Sequence, residues 1–306
     1  MLAEAASRIE GRQALCRCRN CVRIGGVFLA LNGTSANEVR LSHELKSFRD
    51  EPESPDIEVN VEWVEKLQPW QSNPVFDSGA LWTLFRDGPE LVFDFTSPAF
   101  GDCPYKRLRT DGDFRHAQLL VSRDAMANHR PVFPLEYPAD ELLITNYLSS
   151  GLGVEVHGCG LVDSETGGHL FLGHSGAGKS TSTMLWKSRR NCEILSDDRI
   201  VLRLHNDELW MYGTPWHGEA AFASAGNARL EKIFILQHGE QNEIIEISRS
   251  RAVGELFARC FPSFHSAAGL GNTLDFLDRV LQVVPCYEFR FVPQASAVDA
   301  VLGFNG

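Results

Sequence analysis

The chain has 306 residues, and 40 acidic against 29 basic side chains give it a formal charge of −11. That length accommodates two domains, and apolar and charged fractions of 43% and 23% are those of an ordinary globular protein. The acidic balance speaks against nucleic acid, whose binding rests on lysine and arginine at phosphates. No apolar run reaches membrane-spanning length, and residues 1–12 are too polar for a signal peptide.

In chain order, residues 1–137 lack helical periodicity and read as a mostly antiparallel β domain. The expected strands are 22–31, 58–63, 80–85, 91–95 and 118–122, separated by turn signals at Asn32-Gly33, Asp87-Gly88-Pro89 and Asp111-Gly112-Asp113. Phe48 to Pro55 reads as a charged surface loop. Cys16, Cys18 and Cys21 cluster near the start, but regular CxxC pairs and a fourth ligand are missing. The cluster reads as an N-terminal strand or arm with incidental thiols, made somewhat reactive by the neighbouring arginines. Cys159, Cys192, Cys260 and Cys286 read as small core residues of a reduced cytoplasmic protein.

A helix is expected over 138–148, with Asp140 and Glu141 in its first turn and Gly151 stopping it. The domain boundary falls just before it, so the second domain is 138–306. A strand over 154–162 and a turn at Thr166-Gly167-Gly168 follow. A short buried strand, 168–172, then leads into Gly173-His174-Ser175-Gly176-Ala177-Gly178-Lys179-Ser180. That octapeptide is a complete phosphate-binding P-loop, G-x-x-x-x-G-K-[ST], and a helix opening at Ser180-Thr181 supplies the context the motif needs. Its glycines let backbone N–H groups turn toward phosphate oxygens. Lys179 reaches the β- and γ-phosphates in this reading, and the Ser180 hydroxyl ligates Mg²⁺.

A doubly wound nucleotide-binding fold would go on alternating strand and helix. Here the chain runs instead into a β-meander: 193–195, 199–204, an Asn206-Asp207 turn and 209–212. Strands 232–236 and 243–247 follow. Helices return at 251–261 and at 273–284, the latter with Asn272 as its cap. The expected class is α/β with α+β character, a P-loop set in a β-rich core.

Three features lie where phosphoryl transfer would need them. Asp197 and Asp198 stand at a strand end after the P-loop helix, where one carboxylate holds Mg²⁺ and its neighbour takes a hydroxyl proton, or where both form a solvated turn. His157 sits in the strand before the P-loop strand, as a site residue or a satisfied core histidine. Gly213-Thr214-Pro215-Trp216-His217-Gly218-Glu219 crowds Trp, His and Glu between glycines, as a site wall with Glu219 as a further metal carboxylate or as a structural turn over Trp216.

Together these residues resemble the HPr kinase/phosphorylase family and its wider group of HPr-kinase-related serine kinases, which share a fold with ATP-dependent phosphoenolpyruvate carboxykinases. The resemblance spans about 138–306 and rests on Val156-His157-Gly158, the P-loop and Ser196-Asp197-Asp198-Arg199. It implies that His157 and Asp198 are catalytic, that Lys179 is the phosphate lysine, and that Ser180, with Asp197 in support, holds Mg²⁺. The family's later glutamate-containing signature, which shapes the protein-substrate site, is absent; Leu230-Glu231-Lys232-Ile233-Phe234 stands in its place. The loop ending at Glu219 is similar to that of related kinases from peptide-modification gene clusters.

The expected activity is therefore ATP/Mg²⁺-dependent transfer of a γ-phosphoryl group to a serine-type hydroxyl on a peptide, a small protein or free serine. A nucleotide-responsive binding protein without transfer, and a reversible kinase/phosphorylase, are the alternatives. The sequence is compatible with a homo-oligomer.

Overall fold

The structure is a computed structural model that describes residues 18–126 and 132–304; Cys16 and the polar segment 1–12 lie outside the described residues. The chain divides into two compact units. One takes residues up to Arg23 and Val27–Asp140, the other Ile24–Gly26 and Glu141–Gly306.

The first unit is one eight-stranded sheet. Its strands are β1 (Cys18–Ile24), β2 (Val27–Gly33), β3 (Ile57–Val64), β4 (Phe76–Asp77), β5 (Trp82–Asp87), β6 (Glu90–Phe95), β7 (Lys106–Thr110) and β8 (His116–Ser122), in the order β1-β2-β3-β8-β7-β6-β5-β4. A short helix, α1 (His43–Lys46), is capped by the Ser42 hydroxyl. Period-two alternation shapes β3: Ile57, Val59 and Val61 are buried, whereas Asn60 and Glu62 face out. The sheet is mostly antiparallel, but β3 runs parallel to both β2 and β8.

Two departures from the sequence reading have simple causes. The expected strand 22–31 is two strands, because Gly25 and Gly26 take φ of 59° and 71° and make the two-residue turn that suits a hairpin. β7 was not expected, because its residues are mostly cationic. They are buried with partners: Lys106 Nζ donates to Glu136 Oε1 at 2.6 Å, and Arg107 Nε to Asp94 Oδ1 at 2.5 Å.

The second unit holds α2 (Ala139–Leu148, entered from the first), β9 (Val154–Asp163), β10 (Gly167–Leu172), α3 (Lys179–Arg189), β11 (Cys192–Ser196), β12 (Arg199–His205), β13 (Glu208–Tyr212), β14 (Asn227–His238), β15 (Glu243–Glu246), α4 (Arg249–Phe257), α5 (Ala267–Val283), β16 (Cys286–Phe291) and α6 (Ser296–Leu302). Strand pairing closes on itself along β10-β9-β12-β13-β14 and back to β10, because β14 is long enough to pair β13 early and β10 later. β16 and β15 extend the sheet from β14, and β11 adds to β9.

Both faces are covered, as the near-continuous apolar runs require. Leu170 and Leu172 join a core with Val156, Ile233, Leu256 of α4 and Phe276, Leu277 and Val280 of α5. Phe171, one residue out of phase, joins the opposite core with Phe234, Phe291, Trp186 of α3 and Val298 of α6.

The sequence places the start of α5 six residues late. Its cap is Ser266, whose hydroxyl accepts from Gly269 N at 3.1 Å, while Asn272 lies inside the helix and donates to Ser149 O at 3.0 Å. Gly269 and Gly271 in the opening turns mask the helical pattern. The helix expected over 251–261 is α4, ending at Phe257, and β16 and α6 were not anticipated. No helix among the described residues is long and apolar enough to cross a membrane.

Candidate active site

One strand places most of the candidate residues. β9 changes partners in the middle: Val154–His157 pair with β12, and from Gly158 onward the strand pairs with β10 and β11. The register sets His157 opposite Arg199, beside Asp198, and Gly158 opposite Leu172, the last residue before the glycine-rich loop. Glycine is required at 158, since a Cβ there would meet Leu172 Cδ2 at 2.6 Å and Phe171 O at 3.0 Å. The switch point therefore joins loop 173–178 and the Asp197-Asp198 strand end in one place.

The octapeptide forms a loop between β10 and α3, with Gly176 and Gly178 at φ of 81° and 99°. Gly173 and Ala177 are buried, whereas His174, Ser175, Gly176, Ser180 and Thr181 are exposed. No side chain caps α3: Gly178 stands at the cap position, so the first-turn N–H groups have no side-chain acceptor. Lys179, the first residue of α3, bends its Nζ back to donate to Gly173 O at 2.8 Å and His174 O at 3.3 Å. Behind the loop, the ring of His238 meets Gly176 O at 2.9 Å.

His157 Nε2 lies 3.3 Å from Asp198 Oδ1. The other oxygen, Oδ2, accepts from Arg199 Nε at 2.9 Å, while Arg199 Nη1 donates to Glu141 Oε1 at 2.8 Å and Glu155 Oε1 at 3.1 Å. Phe261 backs both groups: the Arg199 guanidinium carbon is 3.8 Å from its centroid, a cation–π contact, and the His157 ring lies nearly parallel at 6.3 Å.

Burial lowers the His157 pKa from its ordinary value, the Lys179 charge lowers it further, Asp198 opposes this, and Arg199 and Arg259 add to the lowering. A pKa moved below the ordinary histidine value leaves the imidazole mostly neutral near pH 7. Lys179 is also lowered by burial, opposed by Asp198 and reinforced by Arg259. These mutual influences mark Lys179, His157 and Asp198 as members of one electrostatic cluster. Glu155 is pushed well above the usual carboxylate range, first by burial and then by the charge of Glu141, with Arg199 opposing. Glu141 moves up by burial, again against Arg199.

Asp197 is turned away from this cluster. Its Oδ1 accepts from Gly218 N at 3.1 Å and Phe222 N at 3.2 Å, and its Oδ2 from Ala220 N at 3.0 Å. The carboxylate folds the loop that carries Glu219, whose side chain is exposed. Trp216 is buried at the base of that loop, and His217 Nδ1 sits 2.9 Å from Gly218 O. Among the described residues no group of three or more His, Cys, Asp or Glu could hold a metal by itself.

Sequence reasoning did not single out Glu141, Glu155, Arg259 or Phe261 as parts of the site. One signal was present: Glu155 interrupts an apolar strand two residues before His157, and a buried acid needs a partner. Arg259 and Phe261 carried no signal, since only the return of the chain after α4, where Arg259 O accepts from His157 N at 2.6 Å, brings them here.

No family model matches the sequence, and no curated protein matches it. Among solved structures the chain is similar to one described as the HPr(Ser) kinase/phosphatase from Coxiella burnetii, at 13% identity over 48% of this chain and 93% of that one, with a TM-score of 0.28. At that score the likeness assigns neither family nor activity.

Proposed function

We propose that this protein is an ATP- and Mg²⁺-dependent kinase that transfers the γ-phosphoryl group to a serine-type hydroxyl of a peptide, a small protein or free serine. The observation that carries the reading is the 3.3 Å contact between His157 and Asp198, in electrostatic reach of Lys179 at the mouth of a glycine-rich loop. A lone lysine over two carbonyls, an uncapped helix start and two left-handed glycines are the groups a polyphosphate requires. Bound ATP would supply a transferable phosphoryl group and ADP as the leaving group, with Mg²⁺ neutralising charge on the phosphates.

The chain's own residues divide the remaining work. Loop amides and Lys179 would hold the phosphates and meet the charge that develops during transfer. Asp198 would accept the proton of the attacking hydroxyl, and neutral His157, 3.3 Å from Oδ1, would help keep the carboxylate oriented. The Ser180 hydroxyl would ligate Mg²⁺. Three backbone N–H groups use most of the acceptor capacity of Asp197, so it would serve the metal through the loop it folds, which carries Glu219.

The test is Asp198→Asn, incubated with labelled ATP, Mg²⁺ and seryl acceptors. Phosphoryl transfer should fall by about 10²–10⁴-fold, the usual contribution of a general base, while MgATP binding by calorimetry stays near wild type. Equal transfer by the variant removes Asp198 from the mechanism. A wild-type protein that binds MgATP and phosphorylates nothing is a nucleotide-responsive binding protein instead.

A further inference from the structure

We infer that Arg199 is a positioning residue for the Asp198–His157 pair, locked in place by Glu141 of α2 and Glu155 of β9. One guanidinium makes three carboxylate contacts: Nε to Asp198 at 2.9 Å, Nη1 to Glu141 at 2.8 Å and Nη1 to Glu155 at 3.1 Å. Its flat face rests on Phe261 at 3.8 Å. Asp198 lies in the bend between β11 and β12, outside either strand. Anchoring Oδ2 from one side leaves Oδ1 a single direction, toward His157 Nε2 at 3.3 Å.

The planar fork is what this geometry demands. A lysine keeps the charge but offers one point in place of a rigid array of donors, so it cannot hold three carboxylates on separate elements. Glu155 has a fully buried side chain, and Arg199 is its cation. The buried acid in the apolar strand is thereby explained: it fixes the arginine that fixes the candidate base.

The role of Arg199 in transfer rests on the kinase reading; its role in placing Asp198 does not, and the experiment separates the two. Imidazole NMR on the full-length protein follows the titration of His157 in wild type, Arg199→Lys, Glu141→Gln and Asp198→Asn. Lysine preserves the positive charge near His157, so release of Asp198 is the change that remains. The His157 midpoint in Arg199→Lys should fall toward that of Asp198→Asn, on the order of half a pH unit below wild type. Glu141→Gln weakens one anchor by turning a charged contact into a neutral one, leaves Arg199 on Glu155, and should shift the midpoint the same way by less. It also decides the matter if Arg199→Lys does not fold.

Release of inorganic phosphate from MgATP, with water as acceptor, gives the second readout. Arg199→Lys should lower kcat about 10-fold or more while leaving KM for ATP within about twofold, as expected for a group that acts through the base. A merely structural arginine would lower the melting temperature and leave the His157 midpoint in place. Wild-type titration in both Arg199→Lys and Glu141→Gln overturns the inference. No phosphoryl transfer by wild type to water or to seryl acceptors, with the His157 shift present, overturns the kinase reading alone.

Discussion

Lys179→Met offers the sharpest test of the loop as a phosphate site, because it separates stability from binding. The ammonium is largely buried and has two carbonyl partners, at 2.8 and 3.3 Å. Methionine removes those two bonds and also the burden of burying a cation; each effect is of order 1–3 kcal/mol, and they oppose. The unliganded protein should therefore unfold within about 1 kcal/mol of wild type. Nucleotide binding has no such compensation. Losing the charged hydrogen bonds to phosphate removes roughly 2–3 kcal/mol, about 50-fold in Kd.

Linkage turns that into a melting experiment. MgATP at 100 times the wild-type Kd stabilises wild type by about 2.7 kcal/mol; the same concentration is only about twice the variant's Kd and adds about 0.6 kcal/mol. At about 2–4 °C per kcal/mol, wild type should gain about 5–11 °C on adding nucleotide and Lys179→Met about 1–3 °C. Scanning calorimetry with and without MgATP reads both numbers on each protein. A full nucleotide shift in the variant would show that this ammonium meets no phosphate, and the reading of residues 173–180 would fail.

Three further outcomes follow from the same coordinates. Gly178→Ala places a Cβ 2.5 Å from Phe291 Cζ at a φ of 99°, whereas Gly176→Ala at 81° meets nothing within 4 Å; urea unfolding should show a loss of about 1–2 kcal/mol for the latter, from backbone strain alone, and clearly more for the former. Equal losses would mean that the ring does not fill the space behind the loop. Asp197→Ala deprives Gly218, Ala220 and Phe222 of their acceptor, so it should cost about 3 kcal/mol and speed hydrogen exchange at those amides; unchanged exchange rates refute the tethering. His169 is buried and its pKa is pushed down to about 4, by burial first and then by Lys232, against Asp163. The unfolded chain then binds the extra proton between about pH 6.5 and 4, so this group's contribution is intact above that window and falls by up to about 1.4 kcal/mol per pH unit as pH drops through it. His169→Gln should flatten the stability–pH curve over that interval, and a curve as steep as wild type would place the titration elsewhere.

Local patterns explain why some elements can be read from residues and others cannot. β3 and β10 announce themselves through alternating or continuous apolar side chains, and the Asn206-Asp207 turn does so through residues that tolerate positive φ, observed at 51° and 61°. β7 hides because Lys106 and Arg107 are cations, and only partners 30 and 13 residues away make their burial affordable. The start of α5 hides for the opposite reason: Gly269 and Gly271 are poor helix formers, and Gly269 is tolerated where it packs against Ser263 and Ser149. Propensity speaks for a segment in isolation, and these segments are decided by what lies across from them.

The site divides along the same line. The glycine-rich loop, Lys179 and the Asp197-Asp198 strand end are contiguous motifs, and their residue types carry the chemistry wherever the chain runs. The division of labour within the acidic pair is not contiguous. Asp197 and Asp198 differ by one position in a turn, and in the structure one is taken up by three backbone amides while the other meets His157 and Arg199. What separates them is that β9 changes partners between His157 and Gly158, a feature of register that depends on β10 and β12 together. Glycine at 158 makes the change possible by admitting Phe171 O and Leu172 to close contact. A larger residue there would separate β9 from β10 and draw His157 away from the loop while leaving the P-loop and the Asp197-Asp198 pair unaltered in sequence. The catalytic reading is therefore as sensitive to a residue that touches no substrate as to the lysine itself.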